Sequence, residues 1–585
     1  MESSRVVGLV SHDNVRRPES ETTHKKKKKS TYQFYYWSSR RTSLQCYITI
    51  TLGLPNLLQF TSAVEHYGGV IWIPYMLCIV MIGLPLVIAE LALTHYINKE
   101  MIQAYEMSPL GLGVFINSLF ATFCLTSFIH LFMVNSLSVT CEMEWGPQHN
   151  MDTIKSECLQ LNGSAKDYCL SAAIQERQEA NHMQFQNEWI PYVISTILSF
   201  CTFMVNRKGA ASLQKYTIIL VVVPYFCSGI LLILLITLSD ATNVMRRCFI
   251  VDWPLITDPV IWSICFQRAI NGFSIANLGL TFASIHGDFH NDIMVDVVLC
   301  FLTQLLGTFI FSFIILGLTG VYNRGLKVLP LSEDFPDFMT LCYWLLHGLL
   351  TLPQPVGLWT FFFVTAIMVI AFGELCFMFA AVCDAVISLI PKLRNNTFSV
   401  KLFFALAFYL MGIGMISVSI MRLPSLDSSF VTIALLYSLT VFWVYNYQRV
   451  CADYQFLMGY KPSVFLQFSW AISPLLLTAL LLLTITHEEP FDPMRNNSVL
   501  LFGIHVVIYL VIGLVQMLIL KKNKENVNIF RANKNWGPAD PLLKKSRLIF
   551  NSRVITEEHI YRQKLYKRQL AKPYDITNQN IVQMN

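Results

Sequence analysis

Twelve apolar stretches follow one another along this chain, near 44–63, 69–96, 112–140, 188–205, 215–239, 259–285, 293–320, 357–390, 399–421, 429–447, 464–486 and 499–521. Each is at least about as long as the ~20 residues a helix needs to cross a hydrocarbon layer. In lipid every backbone N–H and C=O must find its partner within the protein, and a helix does this within one segment. The reading is an all-α integral membrane protein with about twelve transmembrane helices. Composition agrees: only 14% of residues are charged and the mean hydropathy is +0.49, where a soluble domain carries about 25% charged residues.

The ends set the orientation. The first forty residues are polar, and Lys25 to Lys29 form an unbroken basic run with no apolar core directly after it. No cleavable secretory signal is expected from this pattern. Lys and Arg are retained in the cytoplasm, so residues 1–36 read as a disordered cytoplasmic tail able to touch anionic lipid headgroups. An even number of spans returns the chain to the same side. Lys521, Lys522, Lys524, Lys544, Lys545 and Arg547 follow the last span, and 522–585 reads as a cytoplasmic C-terminal tail. A net charge of +6 is accounted for by these basic segments, so no nucleic-acid partner is invoked.

This topology makes 141–187 a large extracellular loop. It holds the glycosylation acceptor Asn162-Gly163-Ser164, and Asn496-Asn497-Ser498 also falls outside. Asn395-Asn396-Thr397 falls on the cytoplasmic side and should stay bare. The polar, aromatic stretch 321–356 is too long for a simple turn and reads as an extracellular lid loop with short helices. The fifteen cysteines lie mostly inside apolar runs, where they act as small hydrophobes. Only Cys141, Cys158 and Cys169 share a polar loop; they are the disulfide candidates, and their odd number leaves the pair open. No metal-ligand spacing, nucleophile or phosphate-binding motif stands out, so an enzyme is not expected.

Two spans carry break signals. The first reads Thr49-Ile50-Thr51-Leu52-Gly53-Leu54-Pro55-Asn56. Gly weakens the helix, and Pro55 lacks a donor and restricts Leu54. The sixth carries Asn271-Gly272-Phe273-Ser274 and Asn277-Leu278-Gly279, a weaker signal. Breaks at matching places in two halves point to a solute site near the bilayer midplane; the plainer reading is a kink in a packed bundle.

The residues then become more specific. Gly53-Leu54-x-Asn56-x-x-x-Phe60, Gly68-Gly69, Ile73-Pro74-Tyr75, Gly83-Leu84-Pro85-Leu86 and Glu90-Leu91-Ala92-Leu93 follow in order. Trp37-Ser38-Ser39-Arg40 precedes them. Lys208-Gly209 through Pro224-Tyr225, Phe282-Ala283-Ser284, and Met458-Gly459-Tyr460-Lys461-Pro462-Ser463 with Trp470 and Pro474 come later. Over roughly 37–521 the chain resembles the neurotransmitter:sodium symporter family. The resemblance implies two inverted five-helix repeats with helices 1 and 6 broken, plus two extra helices, so that 37–521 is a transporter domain. It also implies uptake of an amine or amino acid with inward sodium, often with chloride.

It implies a ligand set as well. For the first sodium ion these are the Thr51 carbonyl, Asn56 and Asn271, with Cys300 in place of an Asn. For the second they are the carbonyls of Thr49 and Leu52 and the carboxylate of Glu374, beside Gly373, which offers nothing. A buried Glu is a cation ligand or a proton-binding group, or else a protonated acid on backbone partners. The chloride positions keep Tyr75 and Gln267, with Asn271, Cys300 and Gln304 at the other three, which leaves chloride coupling open. The solute would meet Gly53, Leu54, Ser127, Phe128, Phe273 and Ser274. Gly53 stands where amine carriers place an Asp; Pro55 removes an amide, and Thr126-Ser127-Phe128 lacks the usual Tyr. The outer gate Arg is replaced by Gln59 opposite Asp427. Arg268 is a substitute partner for Asp427, or snorkels to the outer headgroups. The inner gate positions hold Phe34, Ile285 and Ser388, so the whole ionic set is lost together. Asp296 and Asp384 are further acids near membrane segments; Asp296, close to a helix start, reads as solvated.

The function expected is a sodium-dependent symporter of an amino acid or related small solute across the plasma membrane. The alternative is a non-transporting protein of the same fold that acts as a binding or regulatory partner.

Overall fold

The computed structural model describes residues 35–53, 57, 60–61, 63–64, 67–145, 189–289, 291–326, 349, 352, 355–416, 424–487, 493–523, 529–530, 532 and 536–550. Every regular element among them is helical. In chain order the main ones are α1 (Arg40–Thr51), α2 (Gly68–Ile97), α3 (Gly111–Trp145), α4 (Ile190–Asn206), α5 (Thr217–Thr237), α6 (Pro259–Gly272), α7 (Leu278–Ile285) and α8 (Ile293–Leu326). Then come α9 (Val356–Leu389), α10 (Thr397–Ile416), α11 (Pro424–Ser438), α12 (Tyr447–Met458), α13 (Val464–His487), α14 (Pro493–Lys522) and α15 (Pro541–Ile549).

Among the described residues, eight helices are long and apolar enough to cross a membrane, or nine if the pair bent by 87° before α12 counts as one span. The other expected spans are the 17-residue α4 and the two interrupted stretches. Helix α9 is the hub: α1, α3, α4, α5 and α7 all pack on it. Phe200, Phe226, Phe403 and Leu514 point outward from α4, α5, α10 and α14. A rim of large apolar side chains is what a lipid-facing surface requires.

Prolines and glycines shape the interior. Pro85 has no N–H and its ring crowds the carbonyl four residues back; α2 absorbs this with a wider turn at Ile79–Gly83. The Pro85 carbonyl then accepts from the Trp470 indole at 2.8 Å, joining α2 to α13. A methyl group at Gly373 would lie 2.8 Å from Thr49 Cγ2, so Gly373 lets α9 approach α1 closely.

Part of the C-terminal region is docked on the bundle. Ala539 N donates to Ile97 O at 3.1 Å, and the Trp536 indole donates to Tyr445 Oη at 2.9 Å. Arg547 grips the buried Asp453 through Nε and Nη2 at 3.0 and 2.8 Å. Most of the 141–187 loop, including Cys158, Cys169 and Asn162, and most of the 321–356 lid lie outside the described residues. Cys141 is exposed near the end of α3, and Asn496 stands in the first turn of α14.

Candidate functional site

Both break signals correspond to breaks. Helix α1 ends at Thr51 with Leu52 as its cap, and Gly53 leaves the helix. The hydroxyls of Thr49 and Thr51 are spent on their own helix, on Gln45 O at 2.8 Å and Tyr47 O at 3.0 Å. What α1 presents at the break is therefore its last carbonyls. A helix end of this kind carries a partial negative charge.

Helices α6 and α7 are separated by Phe273 to Asn277. Ser274 and Ala276 adopt positive φ of 51° and 60°, a left-handed conformation that costs a residue with a Cβ roughly 1–2 kcal/mol. Partners from other helices hold it. Ala276 N donates to Glu90 Oε2 at 3.3 Å, Thr281 Oγ1 donates to Glu90 Oε1 at 2.9 Å, and Leu278 N donates to Thr122 Oγ1 at 3.1 Å. Ser274 Oγ donates to Ile50 O at 3.3 Å, so the two breaks touch. Glu90, Thr281 and Thr122 carry this junction, and the sequence reading assigned them no role. The available signal was Glu90 itself, an acid inside an apolar span.

Glu374 faces the first break. It is buried, and a methyl group built on Gly53 would lie 3.1 Å from its Oε1 and 3.6 Å from its Oε2. A carboxylate thus fills the space that a side chain at position 53 would occupy. The negative end of α1 and this carboxylate converge on one place.

The structure brings together Thr49, Leu52, Gly53, Ser274 and Glu374 around the breaks. Phe273 is fully buried, its ring edge against Gly83 of α2. Ser127 and Phe128 are buried on α3, but the Ser127 hydroxyl is directed to Phe123 O at 2.9 Å, within its own helix. Of the chloride positions, Tyr75 and Gln304 bond each other, Gln304 Nε2 donating to Tyr75 Oη at 2.9 Å. Gln267 and Asn271 are half-buried on α6, and Cys300 is buried on α8. Arg268 is buried at 8% exposure, inside the bundle rather than at its rim. Leu54, Asn56 and Gln59 and the side chain of Asp427 lie outside the described residues.

One reading is corrected. Asp296 is not solvated; it is 2% exposed and paired with Arg40 at 2.9 Å. Nearness to a helix start suggested water, but a guanidinium from another segment covers the carboxylate.

The model of the sodium:neurotransmitter symporter family matches residues 35–523. The chain belongs to that family. Its members are sodium-coupled membrane transporters, so the chain is a transporter and not an enzyme. Two curated relatives are both named sodium-dependent nutrient amino acid transporter 1. The one from Drosophila persimilis is 21% identical and is matched over 88% of this chain and 86% of its own length. The one from Drosophila willistoni is 22% identical, over 88% of this chain and 89% of its own length. Among solved structures, the crystal structure of MhsT in complex with L-phenylalanine aligns with a TM-score of 0.60. It is 14% identical, covering 77% of this chain and 99% of that one; this likeness concerns the fold.

Proposed function

We propose that the chain carries an amino acid or a related small solute together with sodium across the plasma membrane, with both termini cytoplasmic. The observation that carries this is the Glu374 carboxylate against Gly53, at the carbonyl end of the broken α1. One sodium ion takes the carbonyls of Thr49 and Leu52 and the Glu374 carboxylate. Another takes the Thr51 carbonyl, Asn56 and Asn271. Oxygen donors of this kind suit a hard cation. The solute sits beside Gly53, Leu54, Ser127, Phe128, Phe273 and Ser274. The names of the relatives support an amino acid.

The bundle has twelve spans in this reading, two inverted repeats with one break each plus two extra helices. The bent helix pair, the short α4 and the two interrupted stretches complete the eight long apolar helices. Arg268 and Asp427 close the outer side, opposite Gln59. Chloride coupling stays open in this reading; of its positions, Gln304 Nε2 donates to Tyr75 Oη at 2.9 Å. Asn162 and Asn496 carry glycans on the outer face, and a disulfide joins two of Cys141, Cys158 and Cys169.

The test is uptake of a radiolabelled amino-acid panel into cells, in sodium and with choline in its place, with surface protein measured in parallel. Uptake that needs sodium and is lost in Asn56→Ala supports the reading. No uptake across the panel by protein present at the surface favours a non-transporting member of the family.

A further inference from the structure

A second polar cluster closes the end of the bundle that carries the N-terminal residues. The Trp37 indole donates to Ala283 O at 2.7 Å, and Trp37 N donates to His286 O at 2.9 Å. His286 Nδ1 lies 2.6 Å from Tyr35 O. A carbonyl only accepts, so Nδ1 carries a proton and donates. That leaves Nε2 turned to α9, 3.6 Å from Asp384 Oδ2, and the contact is an ion pair when the imidazole carries a proton on both nitrogens. The Trp37 ring meets Phe282 and His286 edge-on at 6.3 and 5.6 Å, and Arg40 pairs with Asp296 on α8. The start of α1 is thus tied by polar contacts to the end of α7 and to α8, and His286 in turn meets α9 through Asp384.

These contacts stand beside positions that hold nothing ionisable. Phe34, Ile285 and Ser388 cannot form an ionic lock. Tyr35 and His286 are their next neighbours in the chain, and Asp384 lies one helical turn before Ser388, on the same face of α9. The lock is lost at one set of positions and rebuilt at the adjoining set.

We propose that His286 and Asp384, with the Tyr35 carbonyl, form the inner gate of this transporter. Through the Tyr35 carbonyl His286 holds the segment that leads into α1, through Asp384 it fixes that segment to α9, and these contacts must part for solute to be released into the cytoplasm. This rests on the transport reading. The mechanical part, α1 locked by the pair, is measured without transport. Helix α1 ends at Thr51 and Gly53 lies outside the helix, so the proposed motion has its hinge there. His286 and Asp384 are positioning residues: they hold a conformation and touch no solute.

Cys46 supplies the readout. It is native, lies on α1 and is fully buried, so it reacts only when α1 moves. Inside-out membrane vesicles bearing the full chain are treated with methanethiosulfonate ethylammonium in sodium-free buffer. Modification at Cys46 is followed by mass spectrometry, with Cys46→Ser as the blank. Asp384→Asn is expected to raise the rate about fivefold or more, the population shift that follows loss of one partly exposed charge contact. His286→Asn should do the same. His286→Arg should keep the slow rate while Asp384 is present, and should lose it in the double variant with Asp384→Asn. Equal rates in wild type and Asp384→Asn would overturn the proposal, as would fast labelling in His286→Arg alone. If Asp384→Asn exposes Cys46 while wild type shows no sodium-dependent uptake, the lock on α1 stands and the transport reading fails.

Discussion

The acids at the centre of the bundle and those at the end that carries the start of α1 are treated in opposite ways. At the centre, Glu90 accepts from an unwound amide and a hydroxyl, and Glu374 is set against the break at Gly53. At the end, Asp296, Asp453 and Asp384 each meet a basic side chain from elsewhere in the chain: Arg40, Arg547 and His286. Burying a carboxylate costs several kcal/mol unless something compensates it. Where the protein brings its own basic group, the result is a latch that opens or stays shut. Where the acids instead face broken helices, the proposed sodium site adds a cation from solution. The same residue type therefore has two uses, decided by what folds against it.

The largest expected effect is at Glu374. Glu374→Gln keeps the shape and removes the charge. A charged ligand contact is worth ~1.5–3 kcal/mol, so the apparent sodium affinity of uptake should fall roughly 10- to 100-fold. Unchanged sodium dependence with an altered pH profile would make Glu374 a proton carrier and would break the comparison at its centre. Glu90→Gln comes next. One face of the amide presents an N–H where Ala276 N or Thr281 needs an acceptor. The cost should be about 2 kcal/mol of stability, seen as a lower Tm of the detergent-solubilised protein. Arg547→Ala strands Asp453, but the arginine side chain is 23% exposed and water can take its place. About 1–2 kcal/mol is expected, and Asp453→Asn in the same chain should recover part of it. A double variant worse than the single one would mean that Arg547 acts by packing on Phe456 and Phe550 rather than by charge.

The helices were readable because their cause is local: long apolar runs need nothing from the rest of the chain. The first break was readable for the same reason, since Gly53 and Pro55 disfavour helix by themselves. The second was only half readable. Ser274 and Ala276 sit at positive φ without being glycine, and what holds them is Glu90 and Thr122, 186 and 156 residues from the amides they accept from. The partner of Asp296 is 256 residues away, and so its neighbourhood suggested water. The inner end illustrates another limit. Matching position by position finds Phe34, Ile285 and Ser388 and concludes that the ionic set is gone. The contact is made by neighbours, and only the folded chain shows that they meet.

The smallest effect should come from Arg40, and it tests whether exposure ranks these latches. Its guanidinium donates twice to Asp296 Oδ1 and once to Asp292 O, yet its side chain is 46% exposed while that of Asp296 is 3% exposed. Truncation to Ala opens a path for water to the carboxylate, so the acid is rehydrated rather than stranded. The loss should stay near 1 kcal/mol or below, less than for Arg547→Ala in the same melting assay. Arg40→Lys keeps the charge but not the fork and should fall between wild type and Ala. Labelling of Cys46 should rise in Arg40→Ala, though less than in Asp384→Asn, because the tie to α8 is the more hydrated of the two. If Arg40→Ala instead destabilises the protein more than Arg547→Ala, solvent access does not set the strength of these contacts. The difference would then lie in what each one holds: the start of a helix that must move, against a segment that only needs to stay docked.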